Sequence, residues 1–116
     1  VPTPDGNGWW VVDRWVDGET LAERFARGAG GGDDFRSVAV DMLHGLAALH
    51  AAGVVFRELA PSRVIVPPGG PAVLTDFELA KLFDGSPSVS RDWPDDPYRA
   101  PEVEGGDFDR RADLYS

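Results

Sequence analysis

Val55-Phe56-Arg57-Glu58-Leu59-Ala60-Pro61-Ser62-Arg63-Val64-Ile65-Val66 is the stretch on which the fold turns. Its ends are apolar and β-branched, so each reads as a short extended segment. Between them the charges of Arg57, Glu58 and Arg63 crowd around Pro61, which reads as a loop. Pro67-Pro68-Gly69-Gly70 is a strong turn signal, and Ala72-Val73-Leu74 is a returning strand. Residues 64–74 therefore read as a hairpin. Directly after it, Leu74-Thr75-Asp76-Phe77-Glu78-Leu79-Ala80-Lys81 places an acid at the end of a strand.

Upstream, Phe35, Val38, Ala39, Met42, Leu43, Leu46, Ala47 and Leu49 recur at helical spacing. They predict a long helix, capped by Asp33 or Asp34, stopped near Gly53 and buried along one face. Thr20-Leu21-Ala22-Glu23 has the capping-box pattern, which predicts a short helix from Leu21 to about Arg27, ended by Gly28. Residues 28–32 are a glycine-rich connection. Trp9, Trp10, Val11 and Val12 read as an apolar strand, and residues 13–18 as a connector. Downstream, residues 77–97 read as irregular and polar. Ser86, Ser88 and Ser90 fit an ordinary polar loop, and Asp92, Asp95 and Asp96 a solvated turn beside Pro94 and Pro97. A structureless loop of about 20 residues inside a compact domain is usually functional. Residues 107–116 read as a loop entering a helix. His44 and His50 lie on the long helix with no nucleophile beside them and read as packing or surface residues.

The chain has 116 residues and a net charge of −9. That length fits one small domain or part of a larger one. Its arginines are scattered among acids, with only Arg110 and Arg111 adjacent, so no basic face for nucleic acid is present. The absence of cysteine excludes disulfides and thiolate metal sites. No run approaches the roughly 20 apolar residues that span a membrane. The expectation is a soluble, cytoplasmic segment. The start at Val1 and the helix-like pattern at Ser116 suggest cuts within a longer polypeptide.

The quoted stretch, residues 55–66, resembles the catalytic loop of protein kinases. Residues 74–81 resemble the segment around the DFG motif. Tyr98-Arg99-Ala100-Pro101-Glu102 resembles the APE motif that closes the activation segment, and Asp113-Leu114-Tyr115-Ser116 the start of the central buried helix. Residues 12–21 are similar to the hinge and the helix after it. The matches fall in family order and run from Trp9 onward, and their combination carries the resemblance. It implies an α+β fold: a partial kinase domain over residues 1–116, mainly the helical C-lobe, with a hinge at 13–18 and an activation-segment analogue at 76–102. The N-lobe and the C-terminal helices would be missing. It also implies that Asp113 holds the catalytic-loop backbone and that Glu102 pairs with an arginine beyond Ser116.

Phosphoryl transfer depends mostly on positioning and electrostatic stabilisation. The family aligns an Asp, a Lys and an Asn on the catalytic loop, and the DFG Asp shares the metal with the Asn. Here Glu58 stands at the Asp position, Ala60 at the Lys position and Arg63 at the Asn position. Phe56 replaces the loop His, and Glu78 the DFG Gly. One extra methylene matters, since a displacement of about 1 Å at a reacting centre costs roughly 100-fold. A guanidinium cannot ligate a metal. Asp76 remains as the one clear metal ligand, and Arg63 is expected to form an ion pair with it. The resemblance thus makes Glu58 and Arg57 the catalytic-position residues. Trp15 and Val16, whose backbone would face adenine, join Arg63 and Asp76 at the cofactor position, and Arg14 takes the place of a frequent hinge Glu.

The retained architecture and altered chemistry point to an impaired serine/threonine kinase, a pseudokinase with a regulatory or interaction role in a larger bacterial protein. Two alternatives stay open: a divergent active kinase using ATP, and a nucleotide-binding switch without transfer. ATP and magnesium belong to the full-length protein, with no cofactor expected for the fragment alone. The expected partners are the missing N-lobe, other domains of the same polypeptide, and a protein substrate or regulator, with no nucleic acid and no membrane.

Overall fold

No proline interrupts residues 32–51, and alanine and leucine dominate their second half, a composition with little cost in a helix. In the computed structural model these residues form the longest element, α2 (Gly32–Ala51). The structure describes residues 1–10, 12–83, 97–105 and 109–116. The readings made for Ser86, Ser88, Ser90, Asp92, Asp95 and Asp96 lie outside that set.

A shorter helix, α1 (Leu21–Ala26), precedes α2 and starts with the expected capping box. The Thr20 hydroxyl accepts from the Glu23 amide at 3.2 Å, and the Glu23 carboxylate accepts from the Thr20 amide at 2.7 Å. Among the described residues five short strands follow the chain: β1 (Glu19–Thr20), β2 (Val54–Val55), β3 (Val64–Val66), β4 (Val73–Leu74) and β5 (Lys81–Leu82). β3 and β4 form the expected hairpin, with Val64 opposite Leu74 and Gly69 in the left-handed region at its turn. β1 joins the other edge of β3, giving an antiparallel sheet in the order β1-β3-β4. β2 pairs antiparallel with β5 in a separate two-stranded ribbon. Single turns of 3₁₀-helix lie at Pro61–Arg63 and Pro101–Gly105, each opened by proline, whose fixed φ suits a first turn. The last element is α3 (Arg111–Tyr115). Helices beside small antiparallel sheets make the arrangement α+β.

The core lies where α1, α2 and the hairpin converge: Leu21, Val38, Leu46, Phe56, Leu59, Val64 and Val66. Ala100, Val103 and Ala112 form a satellite. Asp41 ties α2 to the hairpin by accepting from the Ala72 amide at 2.9 Å.

Several expectations need correction. Trp9 makes only an isolated bridge to Pro2, and Trp9, Trp10 and Val12 are exposed, so these three residues are not in the apolar strand expected there. Gly31, not Asp33 or Asp34, takes the N-cap of α2. The two acids stand in its first turn instead, where a negative charge favours the helix dipole. The predicted apolar face of α2 is only partly covered: Val38 and Leu46 are buried, Met42 and Leu49 partly so, and Phe35 and Leu43 exposed. The segment after Phe77 is not wholly irregular, because it contributes β5.

Candidate functional site

Asp113 anchors the loop that follows β2. Its carboxylate is shut off from solvent and collects several donors. The Phe56 amide donates to Oδ2 at 2.9 Å and the Arg57 amide to Oδ1 at 2.7 Å. His50 Nε2, from the last turn of α2, lies 2.7 Å from Oδ2. Arg57 adopts φ 74°, a conformation that costs a non-glycine residue of order 1–3 kcal/mol and persists only where surroundings over-determine it. The Asp113 carboxylate supplies that constraint, in the role the family resemblance implied. The Arg57 guanidinium is itself buried; burial pulls its pKa down, against the opposing pull of the Glu58 and Asp113 charges.

The loop continues to the Pro61–Arg63 turn, closed by the Arg63 amide donating to Ala60 O at 2.9 Å. Arg63 then abuts β4: its carbonyl accepts from the Thr75 amide at 2.9 Å. The next residue, Asp76, has φ 59°, the second non-glycine residue in the left-handed region among those described. This backbone contact delivers the two side chains to each other. Arg63 Nη1 lies 2.7 Å from Asp76 Oδ2, and Arg63 Nη2 lies 3.3 Å from Glu58 Oε2. The expected ion pair is therefore present and extends to Glu58. The Glu58 contact has ion-pair distance without hydrogen-bond direction, so its attraction is chiefly coulombic. Burial depresses the Arg63 pKa, but the hydrogen bond to Asp76 and the charges of Glu58, Asp76 and Glu78 outweigh it and leave it raised. With Asp76 about half exposed, such a pair contributes about 1 kcal/mol or less to stability. Its consequence is occupancy of the space rather than stability.

That occupancy decides how a divalent cation fits. A guanidinium carries donors and no lone pair, and here it engages the carboxylate that would ligate the ion. Among the described residues no three His, Cys, Asp or Glu side chains converge as metal ligands. The residues at this site do not fit magnesium.

Phe77 follows Asp76 and sets its ring edge-on to Phe56, with centroids 5.1 Å apart. Glu78 is exposed, next to a turn closed by the Ala80 amide on Phe77 O at 3.1 Å. The structure thus brings together Arg57, Glu58, Arg63 and Asp76. Trp15 and Val16 lie in the loop before β1; Trp15 is 81% exposed, and its Nε1 donates to Asp17 at 2.7 Å. Glu102 is exposed in the Pro101–Gly105 turn.

The residue missed by sequence reasoning is His50. Its place on the long helix reads as packing or surface, yet it meets Asp113 across 63 residues of chain. No local pattern signals so distant a contact. A cavity of about 330 Å³ lies beside the loop, lined by Leu21, Phe25, Met42, Leu46, Leu59 and Tyr98 among others. A second, of about 350 Å³, is lined by His50, Val55, Phe83 and Arg110 among others. Arg63 and Asp76 line neither.

Residues 5–116 match the protein kinase domain family. The serine/threonine-protein kinase PkaB of Streptomyces coelicolor is 39% identical, aligning with 97% of this chain and 30% of its own length. PknL of Mycobacterium tuberculosis, also a serine/threonine-protein kinase, is 32% identical over 97% of this chain and 29% of its own length. PkwA of Thermomonospora curvata, a probable serine/threonine-protein kinase, is 33% identical over 72% of this chain and 11% of its own length. The chain therefore spans under a third of each of these relatives. With a family match over nearly its whole length and relatives of this identity, the chain belongs to the protein kinase domain family.

Proposed function

We propose that the chain is the hinge-to-central-helix part of a kinase C-lobe that is impaired in phosphoryl transfer, serving a regulatory or interaction role within a larger bacterial polypeptide in the cytoplasm. One observation carries this reading: the Arg63 guanidinium sits between Asp76 and Glu58, at 2.7 and 3.3 Å. Transfer requires a cation that neutralises phosphate charge and a free carboxylate that orients the acceptor hydroxyl. Here one side chain engages both carboxylates, and Ala60 offers no cation of its own. The scaffold around them is retained, from the Asp113 anchor to the Phe56–Phe77 contact.

A divergent active kinase is the second reading. It is favoured by the carboxylates kept at positions 58 and 76 and by the exposure of Asp76. Thermal shift of the full-length protein with ATP, with and without magnesium, separates the cases when run beside transfer of labelled γ-phosphate. The proposal expects no magnesium-dependent stabilisation and no transfer. Transfer that disappears in Glu58→Gln overturns it in favour of the active kinase. A stabilisation by ATP that needs no magnesium, without transfer, assigns a nucleotide-binding switch.

A further inference from the structure

We propose that Arg63 is a tethered replacement for a divalent cation: its guanidinium bridges Asp76 and Glu58, clips the 61–63 turn to the segment after β4, and excludes divalent ions from the site. The proposal rests on reading residues 58, 63 and 76 as the phosphotransfer positions, but not on whether transfer occurs. The geometry supports a bridge rather than a chance contact. The two terminal nitrogens of one planar group reach two different carboxylates. The Thr75 amide donates to Arg63 O at 2.9 Å, which holds the Arg63 backbone beside the residue that precedes Asp76. The Arg63 side chain is only about a quarter exposed, so it is packed in place.

Charge then decides what the site can admit. Glu58, Asp76 and Glu78 all act on Arg63. A divalent ion ligated by Asp76 would stand within about 4–6 Å of a fixed positive charge, a separation at which like charges repel strongly. Replacing Arg63 by a neutral amide reverses the balance. The half-exposed Asp76 carboxylate then loses its ion-pair partner, and an amide oxygen is added as a ligand.

The experiment is nucleotide-free titration of the full-length protein with Mn²⁺, following the electron paramagnetic resonance signal of the free ion. The wild-type protein is expected to bind Mn²⁺ at least about tenfold more weakly than Arg63→Asn, a difference of about 1.4 kcal/mol. Adding Asp76→Asn to Arg63→Asn is expected to abolish the gain. Equal affinity of wild type and Arg63→Asn overturns the proposal, as does a folded Arg63→Asn protein that gains no binding. Should Arg63→Asn not fold, Arg63→Gln is read in the same way. Stabilisation of the wild type by Mn²⁺ that is lost in Asp76→Asn also overturns the proposal. Phosphate transfer by a wild-type protein that binds no Mn²⁺ without nucleotide sinks the impaired-kinase reading and leaves this one. Tight Mn²⁺ binding without transfer does the reverse.

Discussion

Asp113 is the most deeply buried charged residue at the site. It is 1% exposed and serves two backbone amides and His50. An unsatisfied buried donor costs about 1–3 kcal/mol, so Asp113→Ala, which orphans several, is expected to destabilise the protein by at least about 3 kcal/mol. The urea midpoint of the full-length protein measures this. His50→Ala removes only one partner of Asp113 and is expected to cost less, about 1–3 kcal/mol on the same basis. An equal loss from both substitutions would show that the histidine, rather than the amides, dominates the anchor. At this scale the sequence was legible where chemistry repeats in motifs. Glu58, Arg63 and Asp76 could be named because their neighbours hold them in register. His50 could not, because its partner is reached only when α2 and α3 pack.

Among the elements, α1 shows how local rules propagate. Its capping box satisfies end donors with Thr20 and Glu23, so Thr20→Ala is expected to cost about 1 kcal/mol. β1, immediately before it, depends on Gly18. A methyl group there would lie 2.7 Å from the Val66 carbonyl oxygen, which is backbone and cannot swing aside. Gly18→Ala is therefore expected to destabilise by about 1–3 kcal/mol, the range for overpacking, with amide exchange accelerating first at Glu19 and Thr20. Uniform exchange across the chain would contradict that placement. The hairpin and α1 were readable because proline, glycine and capping residues act within a few positions. β1 and β5 were not, since two-residue strands exist only through distant partners and carry no periodicity of their own. The exposed part of the α2 face, Phe35 and Leu43, marks the same limit: spacing fixes which residues share a face, but not what covers it.

For the molecule as a whole, acid sensitivity follows from its carboxylates. Hydrogen bonds hold Asp5, Glu19, Glu23 and Asp109 below their ordinary values, through Thr3, Arg27, the Thr20 amide and Arg111 respectively. Each folded-state pKa is depressed, so each contribution is complete above the ordinary value, 3.8 for Asp and 4.5 for Glu, and fades as pH falls through the lower folded value. The thermal midpoint of the full-length protein is expected to fall as pH drops below 4.5, and to fall less in Glu23→Gln, where one such group is gone. A midpoint that rises on acidification would contradict the sign. Family membership was legible at this scale because the motifs stand in order along almost the entire chain.

The central claim concerns what stands beside Asp76, and a crystal structure of the full-length protein grown with ATP and MnCl₂ tests it most directly. The account predicts the Arg63 guanidinium within about 4 Å of the Asp76 carboxylate, with no anomalous scatterer bound there. A manganese peak ligated by Asp76, with Arg63 turned away, would contradict it.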